Sequence, residues 1–133
     1  LPLLHIADPL GAAIAAKGSR RVGLLGSCYT MEKGGVISDR LEEKFGIACI
    51  VPAEDDRGMI DRVIQDELVC GKFLEPSRAA YRAAIERLVK RGAQGIVLGC
   101  TEIPLLVGQS DASVPVFDTT ALHALAAVDL ALA

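Results

Sequence analysis

Gly95-Ile96-Val97-Leu98-Gly99-Cys100-Thr101-Glu102-Ile103-Pro104-Leu105-Leu106 is the stretch on which the reading of this chain turns. Ile96–Leu98 is short, aliphatic and bounded by glycines, the pattern of a fully buried strand. The strand stops at Gly99 and delivers Cys100, followed at once by two polar residues. Pro104 then stands where a short helix can begin, because proline is tolerated in a first helical turn. In an open parallel α/β sheet, ligands bind just beyond the carboxyl ends of the strands. A thiol at that place is a candidate reactive group.

Outward from this stretch, short apolar runs alternate with amphipathic segments. Leu3–Ile6, Arg21–Leu25, Ile47–Val51 and Val114–Phe117 are the other predicted strands. Predicted helices run from Asp8 to about Ala16, through Val36, Ile37, Leu41 and Phe45, from Glu54 to Leu68, from Glu75 to Arg91, and from Thr119 onward. Gly18, Gly46, Gly71 and Gly92 close the first four. The acids at 54–56 suit a helix start, and Asp118 and Thr119 are candidate caps for the last helix. Strands separated by helices imply an α/β fold: a parallel sheet of about four strands with helices on both faces.

Composition narrows the function. The 133 residues are 51% hydrophobic and 23% charged, which is globular. A net charge of −3, with scattered Lys and Arg, gives no footprint for nucleic acid or an anionic membrane. No apolar run approaches the ~20 residues of a membrane span, and no signal-peptide pattern occurs. Trp is absent and aromatics are only 4%, so stacking platforms for bases are not expected. Cys28, Cys49, Cys70 and Cys100 form no CxxC pair, and His5 and His123 are far apart, so no metal site is expected. The spacing suits reduced thiols in a cytoplasmic protein. Cys49 reads as core and Cys70 as helix-end packing. Both histidines read as core or surface residues.

Leu1-Pro2-Leu3-Leu4-His5 matches Val114-Pro115-Val116-Phe117-Asp118 in pattern, and an alanine-rich helix follows each. A duplicated architecture accounts for this: the close of a first half, then all of a second. Residues 1–118 are then one α/β lobe with its entry strand, followed by a last helix over residues 119–133.

Gly99-Cys100-Thr101-Glu102-Ile103-Pro104-Leu105-Leu106 resembles the second catalytic-cysteine motif of the aspartate/glutamate racemase superfamily. Glutamate racemases usually carry His where Glu102 stands, so the motif looks like the aspartate racemase branch. Val22-Gly23-Leu24-Leu25-Gly26 followed by Tyr29-Thr30-Met31-Glu32 is similar to that branch's substrate loop. Arg40–Ile47, Val51-Pro52 with the acid run through Arg57, Asp66-Glu67-Leu68 before Gly71, and Val114–Thr119 also match. The chain departs from the pattern at Ser27 and Cys28, where the branch usually has Thr and then a basic residue. Ser27 keeps a hydroxyl, whereas Cys28 removes a cation suited to a dicarboxylate.

The resemblance implies a flavodoxin-like sheet forming one lobe of a two-lobe, pseudo-symmetric racemase fold, with the helix over residues 119–133 expected to pack on a first lobe that this chain lacks. It also implies proton transfer at the α-carbon of an amino acid, an aspartate- or glutamate-type dicarboxylate, without pyridoxal phosphate or any other cofactor. Such chemistry needs one acid/base on each face of the carbon. Cys100 supplies one, its thiol lowered toward neutrality if Pro104 opens a helix whose positive end faces it. Ser27, Thr30, Thr101 and Glu102 are the candidate substrate-binding residues: hydroxyls and backbone N–H groups for a carboxylate, an acid for the ammonium, a water or the thiol itself. The second acid/base belongs to the missing amino-terminal lobe, so the chain alone is expected to be inactive. The family often forms homodimers. The alternatives are a superfamily isomerase, decarboxylase or hydantoin racemase using the same thiol, or a non-catalytic flavodoxin-like ligand-binding module. A receiver module lacks its lone strand-end Asp with a matching Lys, and a nucleotide module lacks Gly-x-Gly-x-x-Gly.

Overall fold

A computed structural model describes residues 7–27, 31 and 36–132. The predicted strand Leu3–Ile6, together with His5, Cys28 and Thr30, lies outside the described residues.

The elements alternate along the chain: α1 (Ala7–Ala16), β1 (Arg21–Leu25), α2 (Val36–Phe45), β2 (Ala48–Ile50), α3 (Glu54–Val63), α4 (Glu75–Lys90), β3 (Ile96–Leu98), β4 (Val116–Asp118) and α5 (Thr119–Leu132). Among the described residues the strands form one four-stranded parallel sheet in the order β2-β1-β3-β4. Every crossover therefore returns the chain to the same end of the sheet, and the carboxyl ends of β1 and β3 lie side by side.

Alternation along the strands sends side chains to two cores. Val22 and Leu24 of β1, Val97 of β3 and Phe117 of β4 meet Leu10 and Ile14 of α1 and Leu41 of α2 on one face. Leu25, Ile96 and Leu98 point to the other, against Ile60 and Val63 of α3 and Tyr81, Ile85 and Leu88 of α4. Two glycines let helices come close. At Gly11 a Cβ would sit 2.3 Å from the Phe45 ring, and at Gly23 it would sit 2.8 Å from Leu88. Gly18 and Gly46, with φ of 73° and 65°, end α1 and α2 in the left-handed conformation that favours glycine.

Four expectations are adjusted. The third predicted strand shortens to Ala48–Ile50, and the last shifts to Val116–Asp118. The helix expected to reach Leu68 leaves α-geometry at Ile64 and finishes as a π-turn, Ile64–Leu68. There Glu67 accepts a hydrogen bond from Ser77 in the first turn of α4. The short helix expected after Pro104 is a single 3-10 turn, Ile103–Leu105, followed by a second at Gln109–Asp111. Each is three residues long, too short to carry a helix dipole of consequence.

Side chains fasten these connections. Asp111 is almost fully enclosed. It accepts from Arg78 at 3.1 and 3.3 Å and from the Gly108 N–H at 2.9 Å, with Arg82 at 3.3 Å. Gln109 lies along the outer edge of β4. Its Nε2 donates to the Val114 carbonyl and its Oε1 accepts from the Val116 N–H, both at 2.9 Å. Asp8 of α1 binds Arg40 of α2 through two hydrogen bonds, 2.9 and 3.1 Å, and Lys44 at 3.1 Å. The Arg40 guanidinium, helped by the Lys44 ammonium, outweighs burial and lowers the Asp8 carboxyl from 3.8 to about 2.

A carboxyl with a depressed folded-state pKa stabilises the fold above its unfolded value and loses that contribution as pH falls. The melting temperature is therefore expected to drop between pH 3.8 and about 2, and Asp8→Asn should lose part of that acid sensitivity in a thermal melt series. Gly11→Ala should cost about 1–3 kcal/mol in denaturant unfolding, because the new methyl forces Phe45 out of place.

Candidate active site

The site is built where β1 and β3 end. Their register sets Leu25 opposite Leu98, so Gly26-Ser27 and Gly99-Cys100 leave the sheet together. The Gly99 N–H donates to the Leu25 carbonyl at 2.7 Å. Cys100 is half-buried, its apolar side packed against the α3/α4 core. Its thiol donates to Oε2 of Glu102 at 2.9 Å, and the Thr101 side chain also hydrogen-bonds that carboxylate. Thiol, hydroxyl and carboxylate from three consecutive residues thus meet at the rim.

The electrostatics of this cluster reverse one expectation. Burial pushes the Cys100 thiol up, and the hydrogen bond to Glu102 pushes it further. The backbone N–H groups of Glu102 and Ile103 act the other way and are outweighed. The expected lowering by a helix terminus fails because the 3-10 turn at Ile103–Leu105 is too short to supply it. Glu102 shows the complementary effect: the Cys100 thiol, then the Thr101 hydroxyl, hold its carboxyl below the usual range. Among the described residues, no Lys or Arg is ion-paired with Glu102. The resting state is a neutral thiol bonded to a carboxylate.

The other sequence candidates divide. Ser27 is half-buried on the same rim, and its carbonyl accepts from the Met31 N–H at 3.1 Å, the turn chemistry expected after β1. Thr101 is exposed and does not cap the following turn. Thr30 and Cys28 lie outside the described residues. Cys49 lies in β2, half-buried, its thiol pushed up to about 12 mainly by burial. Cys70 is exposed, not packed, because the π-turn ends just before it. His123 is half-buried on α5. Asp118 caps α5 by accepting from the Ala121 N–H at 3.1 Å.

Two residues near the site were read only as core or cap. Tyr81 is fully buried, donates to the Ile60 carbonyl at 2.7 Å, and has its phenol pushed up by burial first and Cys100 second. Helical spacing marks Tyr81 as buried but carries no signal of what its hydroxyl faces. Thr119 does not cap α5: its hydroxyl donates across the sheet to the Leu98 carbonyl at 3.0 Å. Among the described residues, no group of three or more His, Cys, Asp or Glu is placed to hold a metal ion, and no helix is long and apolar enough to cross a membrane.

In open parallel α/β sheets ligands bind beyond the carboxyl ends of the strands, and the Cys100–Glu102 pair lies at that rim. The family model for Asp/Glu/hydantoin racemases matches residues 1–127, and the chain belongs to that family. It is similar to a crystal structure of a candidate Asp/Glu racemase from Yersinia pestis, with 54% identity, a TM-score of 0.94, and coverage of 100% of this chain and 57% of that one. An aspartate racemase homologue from Pyrococcus horikoshii superposes with a TM-score of 0.88 at 32% identity, again over 100% of this chain and 57% of the other. A glutamate racemase from Deinococcus radiodurans is 31% identical over 113 residues, covering 81% of this chain and 36% of the relative. The chain thus spans little more than half the length of the two structures and about a third of the curated relative.

The thiol–carboxylate pairing predicts reactivity. In the full-length protein, alkylation of Cys100 by iodoacetamide, followed by mass spectrometry of its peptide, should show a pH midpoint above that of free cysteine. Glu102→Gln removes the charge that disfavours the thiolate, so its midpoint should move to lower pH.

Proposed function

We propose that this chain is the Cys100-bearing lobe of an amino-acid racemase that transfers protons at the α-carbon without a cofactor, acting on an aspartate- or glutamate-type substrate. The observation that carries the proposal is the Cys100–Glu102 pair, held at 2.9 Å where β3 leaves the sheet beside β1. Cys100 removes the α-proton as a thiolate and returns one as a thiol. The N–H groups of Glu102 and Ile103 favour the thiolate. Glu102 accepts from the resting thiol and aims it. Thr101, Ser27 and Thr30 bind the α-carboxylate through hydroxyl and N–H donors, with Glu102 near the ammonium.

Proton return on the opposite face needs a second acid/base, which we assign to a preceding lobe. The relatives' greater length supports that assignment, as does the outer side of α5, where Leu125, Val128 and Leu132 are exposed. Residues 1–118 form one lobe in this reading, and residues 119–133 lie against the other. The intact protein is cytoplasmic and can pair as a homodimer. A hydantoin substrate is the second reading, because the family includes such racemases and Cys28 stands where a cation would meet a dicarboxylate.

The test is solvent-deuterium incorporation at the α-carbon, with inversion followed by polarimetry, using aspartate, glutamate and a 5-substituted hydantoin. The full-length protein should exchange one of them. Cys100→Ser and Cys100→Ala should lower turnover by about 10²–10⁴-fold, the scale of general acid–base catalysis. The 133-residue chain alone should not racemise. Undiminished exchange by Cys100→Ala would remove Cys100 from the mechanism, and exchange by the isolated chain at the full-length rate would remove the second lobe.

A further inference from the structure

Gly99 is the residue through which β3 hands the chain to Cys100, and glycine is the residue least able to hold its own direction. The peptide unit joining Leu98 to Gly99 is nevertheless pinned at both ends. Its N–H, from Gly99, donates to the Leu25 carbonyl at 2.7 Å. Its C=O, from Leu98, accepts from the Thr119 hydroxyl at 3.0 Å. Leu98 is in register with Asp118, so the hydroxyl adds one rung to the β3/β4 ladder just where the backbone of β4 has turned into α5. Thr119 is 1% exposed, so this bond is shielded from bulk water.

We propose that Thr119 is a positioning residue for Cys100. By holding the Leu98 carbonyl it fixes the plane of the 98–99 peptide, and with it the direction in which Gly99 launches the thiol toward Glu102. The inference rests on the reading of Cys100 as the acid/base. It adds that α5, through its first residue, sets the geometry of a site on a neighbouring strand. A side chain held only for stability would affect melting, whereas this one sets where the sulfur sits.

The experiment compares Thr119→Val, which replaces the hydroxyl by a methyl of similar size, with Thr119→Ser, which keeps it, in the full-length protein. Thr119→Val should lower kcat by about 10–100-fold, the scale of a small misplacement of a catalytic group. KM should be little changed, and the pH profile of Cys100 alkylation should move. Thr119→Ser should stay near the wild-type values in both readouts. If Thr119→Val does not fold, Thr119→Ala removes the hydroxyl without added bulk and takes its place. A folded variant lacking the hydroxyl but with wild-type kcat and alkylation profile overturns the proposal, as does a Ser variant as impaired as the Val variant. Loss of the fold in both Val and Ala variants also overturns it, leaving the bond a purely structural one. Cys100→Ser in the same assay separates the two ideas: if it retains turnover, the reading of Cys100 has failed, whatever Thr119 does.

Discussion

The register between β1 and β3, Leu25 opposite Leu98, is the constraint on which the site depends. Parallel pairing forces both strands to end at one rim, and the crossover through α3 and α4 must return the chain there. The same two strands divide the protein into its cores, since Val22, Leu24 and Val97 face α1 and α2 while Leu25, Ile96 and Leu98 face α3 and α4. A one-residue slip would invert both faces and carry Cys100 away from Ser27. Packing on two sides thus holds a register whose visible product is a cluster of polar groups.

That cluster stores a tension between rest and reaction. Cys100 is half-buried beside a carboxylate, which favours the neutral thiol, while two backbone N–H groups offer the thiolate partial compensation. In the proposed mechanism an incoming ammonium would shift this balance by pairing with Glu102. The charge of the substrate would then prepare its own base, and a thiol that waits in its neutral form is less open to oxidation while the site is empty.

The fold was largely legible in the sequence because its signals are local. Arg21–Leu25 and Ile96–Leu98 fall where their apolar runs place them, and Gly18 and Gly46 end helices as glycines with left-handed backbones do. What was illegible depends on distance or on fine geometry. Ile103-Pro104-Leu105 has the composition of a helix start, but Ile103, Leu106 and Val107 are all drawn into the core and leave room for one tight turn. Without the helix, the expected lowering of the thiol is lost with it. Cys100 could be named from its place after a buried strand, and the resemblance added Glu102 with the thiol as one of three partners for it; only the structure selects the thiol. Thr119 reads as a cap because a hydroxyl at a helix start usually is one. Only the position of β3 reveals its other partner.

Gln109 has a consequence for how copies of this molecule meet. A bare edge strand invites another strand to extend the sheet, the route by which many β-containing proteins aggregate or join edge to edge. Here one side-chain amide imitates a strand, filling the Val114 acceptor just before β4 and the Val116 donor at its start with its own Nε2 and Oε1. An incoming strand must first break both bonds, so sheet growth on that side starts with a penalty. Contacts on the β4 side are thereby steered toward helix faces, where association requires no exchange of backbone partners, while β2 remains the other edge of the sheet among the described residues.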